Sequence, residues 1–304
     1  MFAPPPVVRT EVFATLPEAY RNPPKRSEWL EGQPGGNPTH SLLEGPSFDR
    51  AGNLYLVDIP FGRVFRLSPA GDWSLIADYD GEPNGLKIHR DGRILIADYK
   101  NGIVELDPQS GSVTPVLQRV QLERLKAVND LVFASNGDLY FTDQGLTGLH
   151  DPTGRVFCLR ADGRVDCLLD NVPSPNGIAL SPDESHLYVA VTRANAVWRV
   201  PLMPHGRVAK VHNFIQLSGG GGPDGLAVDA EGGLIVCHIG LGVVWRFTAR
   251  GEPSLRIESC AGLHNTNVAF GGPERRHLFI TESESGSILR AELEVPGLRL
   301  FSHA

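Results

Sequence analysis

The chain is poor in the features that mark several protein classes. None of its 304 residues belongs to an apolar run long enough to span a bilayer, which takes about 18 or more residues, so no membrane partner is expected. Basic residues do not cluster. Lys plus Arg is 28 against 35 for Asp plus Glu, a formal charge of −7, which argues against a nucleic-acid footprint. The four cysteines, Cys158, Cys167, Cys237 and Cys260, contain no CxxC pair and no zinc spacing. Cys158 and Cys167 flank the turn Ala161-Asp162-Gly163-Arg164 and could face each other across a hairpin. Buried reduced thiols are the simpler expectation. The opening stretch MFAPPPVVRT lacks a basic n-region and a long apolar core. With the thiols, it gives the expectation of a cytoplasmic protein. No GxSxG elbow is present, and the glycine run 219–222 leads into Pro223 rather than GK[ST]. Serine-nucleophile and phosphate-loop chemistries therefore lack support, and the run is expected to let backbone pass close to a site before Asp224.

What is abundant is turn-forming residue types. Gly is 34 and Pro is 24 of 304, above the usual ~7% and ~5%. They punctuate an internal repeat. Its copies begin EGPSFDRAGNLYLVD at Glu44, NGLKIHRDGRILIAD at Asn84, NDLVFASNGDLYFTD at Asn129, NGIALSPDESHLYVAV at Asn176, DGLAVDAEGGLIVCH at Asp224 and NVAFGGPERRHLFITE at Asn267. The starts are 40, 45, 47, 48 and 43 residues apart. Each copy reads as strand, turn, strand, turn, strand. Asp91-Gly92 and Asn136-Gly137 supply the left-handed backbone that tight turns need. Third strands alternate apolar and polar residues (RVFRLSP, GIVELDP, RVFCLRA, AVWRVPL, VVWRFTA, SILRAEL). Five copies carry a weaker fourth strand, and the sixth lacks one. The segment 10–16, TEVFATL, is the expected substitute, closing the ring and removing two sheet edges. The reading is all-β: a six-bladed β-propeller of four-stranded blades over 1–304 as one domain. Residues 20–43, dense in Pro and Gly, form a covering loop before the first repeat.

The first residues of the copies, Glu44, Asn84, Asn129, Asn176, Asp224 and Asn267, all carry side-chain oxygen. In a propeller they converge on the axis, where burying them is costly unless something satisfies them. Local turn capping would serve a single Asn-Gly, but not a ring that includes Glu44. An all-oxygen set suits one hard divalent cation, Ca²⁺ above all, with Mg²⁺, Mn²⁺, Zn²⁺ or Fe²⁺ as alternatives.

The motifs EGP at Glu44, VND at Asn129, PNG at Asn176 and PDG at Asp224, in order at blade spacing, resemble the senescence-marker-protein/gluconolactonase/luciferin-regenerating-enzyme family. The resemblance runs from about Glu44 to Arg290. It implies a propeller with one axial divalent metal and hydrolysis of a sugar lactone. Residue by residue it implies Glu44, Asn129, Asn176 and Asp224 as metal shell. The chemistry of lactone hydrolysis then makes Asp224 the candidate proton acceptor from the attacking water, and Asn129, a candidate catalytic residue, would orient the carbonyl or the ring oxygen together with Asn176. Asn84 and Asn267 match the ring but not the family's usual ligands and are candidates for contact with substrate or water, or for a structural role. Some members carry an arginine two residues before the asparagine of the ND motif. Here that position is Ala127, preceded by Lys126. Further candidates for substrate contact are Lys126, His264, His238, and Trp29 and His40 in the covering loop. Tyr99 and Lys100 rank below them, and Asp130 is a candidate support beside Asn129. Hydrolysis of aryl or phosphate esters, or a non-enzymatic binding propeller, are the alternatives. A monomer or small homo-oligomer is expected.

Overall fold

The computed structural model describes residues 4–21, 26–33 and 40–303. Six sheets radiate from an axis, and each copy of the repeat builds one blade. The first strands are Leu43–Phe48, Pro83–Ile88, Val128–Phe133, Pro175–Leu180, Gly222–Val228 and Asn265–Gly271. The second strands, Leu54–Asp58, Ile94–Asp98, Leu139–Asp143, His186–Val191, Leu234–Ile239 and His277–Glu282, are almost wholly buried. Their apolar runs have a direct cause. In blade one, Leu54 and Leu56 pack toward blade six, while Tyr55 and Val57 pack toward blade two. Both faces of the strand are covered, so alternation of polar and apolar residues disappears.

Six apolar clusters fill the six blade–blade interfaces. Closure between blades six and one is built like the rest. Glu11–Thr15 pairs antiparallel with Ser287–Glu292 as the outer strand of blade six, as the sequence predicts. Phe13 then meets Phe279 edge-on at 5.1 Å. One strand lies outside the expectation: Val7–Arg9 adds in parallel to Pro253–Glu258, giving blade five a fifth strand. Gly92 and Gly137 adopt φ of 94° and 89°, so glycine alone supplies the left-handed residue of those hairpin turns.

The cysteines need correction. Cys158 and Cys237 are buried, but Cys167 and Cys260 are exposed, and all four are free thiols. Cys158 pairs with Asp166 and Phe157 with Cys167, so the register sets the two cysteines on opposite faces.

The ring register also needs correction. Five first–second strand ladders open on Leu43 with Asp58, Pro83 with Asp98, Val128 with Asp143, Pro175 with Val191 and Asn265 with Glu282; in blade five the equivalent pair, Pro223 with His238, follows an extra pair of Gly222 with Ile239. The next residue in each strand forms the ring: Glu44, Asn84, Asn129, Asn176, Asp224 and Thr266. Asn267 sits one step deeper, level with Gly45, Gly85, Asp130, Gly177 and Gly225. Bulges in every inner strand hide this offset from simple residue counting.

Candidate active site

The ring opens into a cavity of about 770 Å³ lined by Glu44, Asn84, Asn129, Asn176, Asp224 and Thr266. A smaller cavity of about 420 Å³ at the other end of the same strands is walled by Ile178, Leu226, Val268 and the C-terminal Leu300 and Phe301. It holds none of the ring residues.

The side chains of Glu44, Asn129 and Thr266 are fixed by their neighbours. Glu44 is 3% exposed. Its Oε2 accepts from the Gly45 amide at 2.5 Å and from Asn267 Nδ2 at 2.8 Å. Asn267 Oδ1 accepts from the Val268 amide. Its amide group is thus spent on positioning Glu44, and it does not line the cavity, contrary to a substrate-contact role. Gly225 makes room for this arrangement: a Cβ there would lie 2.5 Å from the Asn267 Cα and collide with its side chain.

Asn129 is held by a network that sequence patterns did not reveal. Its Nδ2 donates to the Tyr99 hydroxyl and to Gln144 Oε1, both at 3.0 Å. Tyr99 donates in turn to Gln144 Oε1. Gln144 Nε2 donates to Ser174 Oγ at 2.8 Å, and Ser174 holds a φ of 63°. With both amide protons engaged, Asn129 Oδ1 is left buried and without a partner. Such an oxygen calls for a ligand.

The electrostatics agree. Burial, aided by the nearby charge of Asp130, pushes the Asp224 carboxyl up to about 7 against the opposing influence of Asn176. Glu44 is raised well above the carboxylate range by burial, then by the charges of Asp224 and Asp130. Asp130 is 1% exposed. Its Oδ1 accepts from the Leu131 amide at 2.8 Å, and Lys87 Nζ lies 3.7 Å away. Two carboxyls thus converge with amide oxygens around a space that holds an unpartnered acceptor. Among the described residues no trio of His, Cys, Asp or Glu forms a metal cluster, so a cation here would take carboxylate and amide oxygens together. Hard divalent ions accept that set, and Glu44, Asn129, Asn176 and Asp224 fit it.

The remaining candidates divide. Trp29, on the short helix Glu28–Glu31, lines the cavity and meets Tyr99 edge-on with ring centroids 6.4 Å apart. Ser27 caps that helix through the Leu30 amide at 3.3 Å. His264 lines the cavity too. His40 does so with its ring held by Ser41 Oγ at 2.8 Å and the Glu284 carbonyl at 3.0 Å. Residues 22–25 and 34–39 of the expected covering loop lie outside the described residues. His238 is a correction: its Nε2 meets the Gly219 carbonyl at 2.9 Å, and its Nδ1 accepts from Trp245 at 3.3 Å. Both nitrogens are used outside the cavity. Lys126 is another, since its Nζ donates to the Thr153 carbonyl and hydroxyl at 2.7 and 2.6 Å, away from the ring. Lys100 pairs with Asp80 at the surface. The glycine run does pass close: Gly221 lines the cavity, and a Cβ at Gly222 would strike the Thr192 carbonyl. Gln144, Thr266 and Arg193 line the cavity unforeseen. Gln144 and Arg193 lie outside the repeated motif, and Thr266 was hidden by the one-residue offset.

Comparison with known proteins fits this geometry. Residues 42–284 match the SMP-30/gluconolactonase/LRE-like region, and the chain belongs to that family. It is 32% identical over 237 residues to lactonase drp35 of Staphylococcus aureus, covering 74% of this chain and 71% of the relative. A gluconolactonase from Xanthomonas campestris superposes with a TM-score of 0.73 at 25% identity, covering 84% of this chain and 86% of that one. A calcium-binding regucalcin from Agrobacterium tumefaciens superposes with a TM-score of 0.75 at 26% identity, covering 97% and 99%.

Proposed function

We propose that the protein is a divalent-cation-dependent lactonase that opens a small, sugar-derived lactone. One observation carries this reading: two buried carboxyls, Glu44 and Asp224, face one cavity with the unpartnered Asn129 oxygen. The lactonase and gluconolactonase among the relatives support the ester chemistry, and the calcium-binding relative supports the cation. Glu44, Asn129, Asn176 and Asp224 would hold the ion. When bound, it would supply a Lewis acid for the ester carbonyl and acidify a water.

The chain's own residues do the rest. The Asp224 carboxylate accepts a proton as the water oxygen attacks the carbonyl carbon. The ring C–O bond then breaks, and the same proton passes to the departing ring oxygen, leaving a hydroxy acid. Asn129 and Asn176 orient the carbonyl end. Asn84 and His264 offer hydrogen bonds to ring hydroxyls, and Trp29 covers an apolar sugar face.

The test is proton release at constant pH from a panel of five- and six-membered sugar lactones. Chelated protein is compared with protein resupplied with single divalent ions. Turnover that disappears on chelation and returns with one ion is the expected result. Turnover that is indifferent to chelation would remove the cation from the mechanism. No turnover of any lactone with any ion would shift the reading to other esters.

A further inference from the structure

We propose that Arg193 is the specificity residue of this cavity and selects lactones that bear an ionised carboxylate away from the ester. The inference rests on the lactonase reading above.

The observation is an arginine on the cavity wall that has no carboxylate partner. Second strands end on a carboxylate in four blades, Asp58, Asp98, Asp143 and Glu282, each paired with the opening residue of its inner strand. Asp58 takes Arg63, and Asp143 takes Arg155 at 2.8 Å. In blade four the corresponding residue is Val191, opposite Pro175, and no internal carboxylate is available. Two residues on, Arg193 makes no hydrogen bond or ion pair among the described residues, yet it lines the axial cavity.

Its placement is set by the fold. Arg193 lies in the 3-10 turn Thr192–Ala194, closed by Asn195 in the left-handed region. Thr192 Oγ1 donates to the Pro223 carbonyl at 2.8 Å, tying the turn to the residue before Asp224. The side-chain stem runs beside the neighbouring loop, where a Cβ on Gly148 would lie 3.8 Å from Arg193 Cγ. The Arg193 charge reaches Asp224 and opposes its raised pKa.

The charge balance follows. Glu44 and Asp224 together match one divalent ion. Glu284, the other acidic residue of the wall, is engaged by the Leu263 amide at 2.7 Å. The guanidinium of Arg193 pairs with none of the three and remains a fork of unengaged donors on the cavity wall. Its geometry fits a carboxylate through two parallel hydrogen bonds. A terminal CH₂OH would leave the fork unmatched.

The probes are galactaro-1,4-lactone and galactono-1,4-lactone, which share a ring and differ in a terminal carboxylate against CH₂OH. The wild type should favour the acid lactone in kcat/KM. Arg193→Ala should reduce that preference about tenfold or more, as expected for a lost charge-assisted pair, with the change carried by KM. Arg193→Glu should reverse it, and added salt should weaken the wild-type preference. A preference that is absent in the wild type or unchanged in Arg193→Ala overturns the proposal while leaving lactonase activity standing. Calorimetric binding of the products, galactarate and galactonate, gives a readout free of turnover. Galactarate binding that is selective in the wild type and lost in Arg193→Ala supports the subsite even without lactone turnover. Equal galactarate binding by both proteins overturns it.

Discussion

Asn267 Nδ2 donates to Glu44 Oε2 at 2.8 Å across 223 residues of chain, joining the last blade to the first at the axis. Asn267 is therefore a positioning residue for a ring carboxylate. Asn267→Ala should weaken divalent-cation binding about 10- to 100-fold, the usual cost of removing a group that orients a ligand. Calorimetric titration of the cation into chelated protein checks this, and unchanged affinity would show that Glu44 needs no such support.

Glu44 and Asp224 repel one another in a buried space, and both carboxyls are raised in consequence of burial and charge. Glu44→Gln and Asp224→Asn should each abolish lactone turnover with the fold intact. The same changes should raise the melting temperature of chelated protein by about 2 °C or more, because each removes a buried like-charge contact. The added cation should stabilise the wild type and not the variants. Thermal melts with and without chelator decide the matter, and a lower melting temperature for both chelated variants would contradict the repulsion.

Gln144 fixes the orientation of Asn129 by accepting from its Nδ2 at 3.0 Å. Gln144→Ala frees the Asn129 amide to turn. Cation affinity and kcat should then fall about tenfold or more, and Gln144→Glu, which keeps the acceptor, should retain more of the affinity than Gln144→Ala. If Gln144→Ala matches the wild type in both quantities, the Tyr99–Gln144 network has no part in positioning.

The thiols divide by burial. Cys158, raised to about 12 chiefly by burial, and Cys237, raised well above the usual thiol range by burial, should resist a disulfide reagent in the native protein. Cys167 and Cys260 are exposed and should react. The expected count is two thiols native and four in denaturant, read by absorbance. Four reactive thiols without denaturant would mean that the blade interfaces holding Cys158 and Cys237 open readily.

Much of the fold was legible because each blade repeats the same local physics. Short strands covered on both faces, glycine turns and an N-terminal strand with no partner of its own are properties of neighbouring residues, and they led to six blades and the closing strand. Glu44, Asn84, Asn129, Asn176 and Asp224 were legible for the same reason, since the repeat fixes their height on the axis. Thr266 was not, because its copy is offset by one residue and the register depends on pairing with Glu282. Nor could local patterns show that Asn267 is spent on Glu44, that His238 and Lys126 bond away from the ring, or that Tyr99, Gln144 and Ser174 brace Asn129.

The sequence by itself determined the number of blades, the way the ring closes and the oxygen chemistry at its centre, because periodicity and residue type are carried along the chain. Only the tertiary structure decided which side chains face the cavity, which are consumed by one another, and that Arg193 stands there without a carboxylate partner. Those facts depend on contacts between segments separated in the chain, by 15 residues for Asn129 and Gln144 and by 223 for Glu44 and Asn267, and a hydrogen bond between them has no signature in either segment alone.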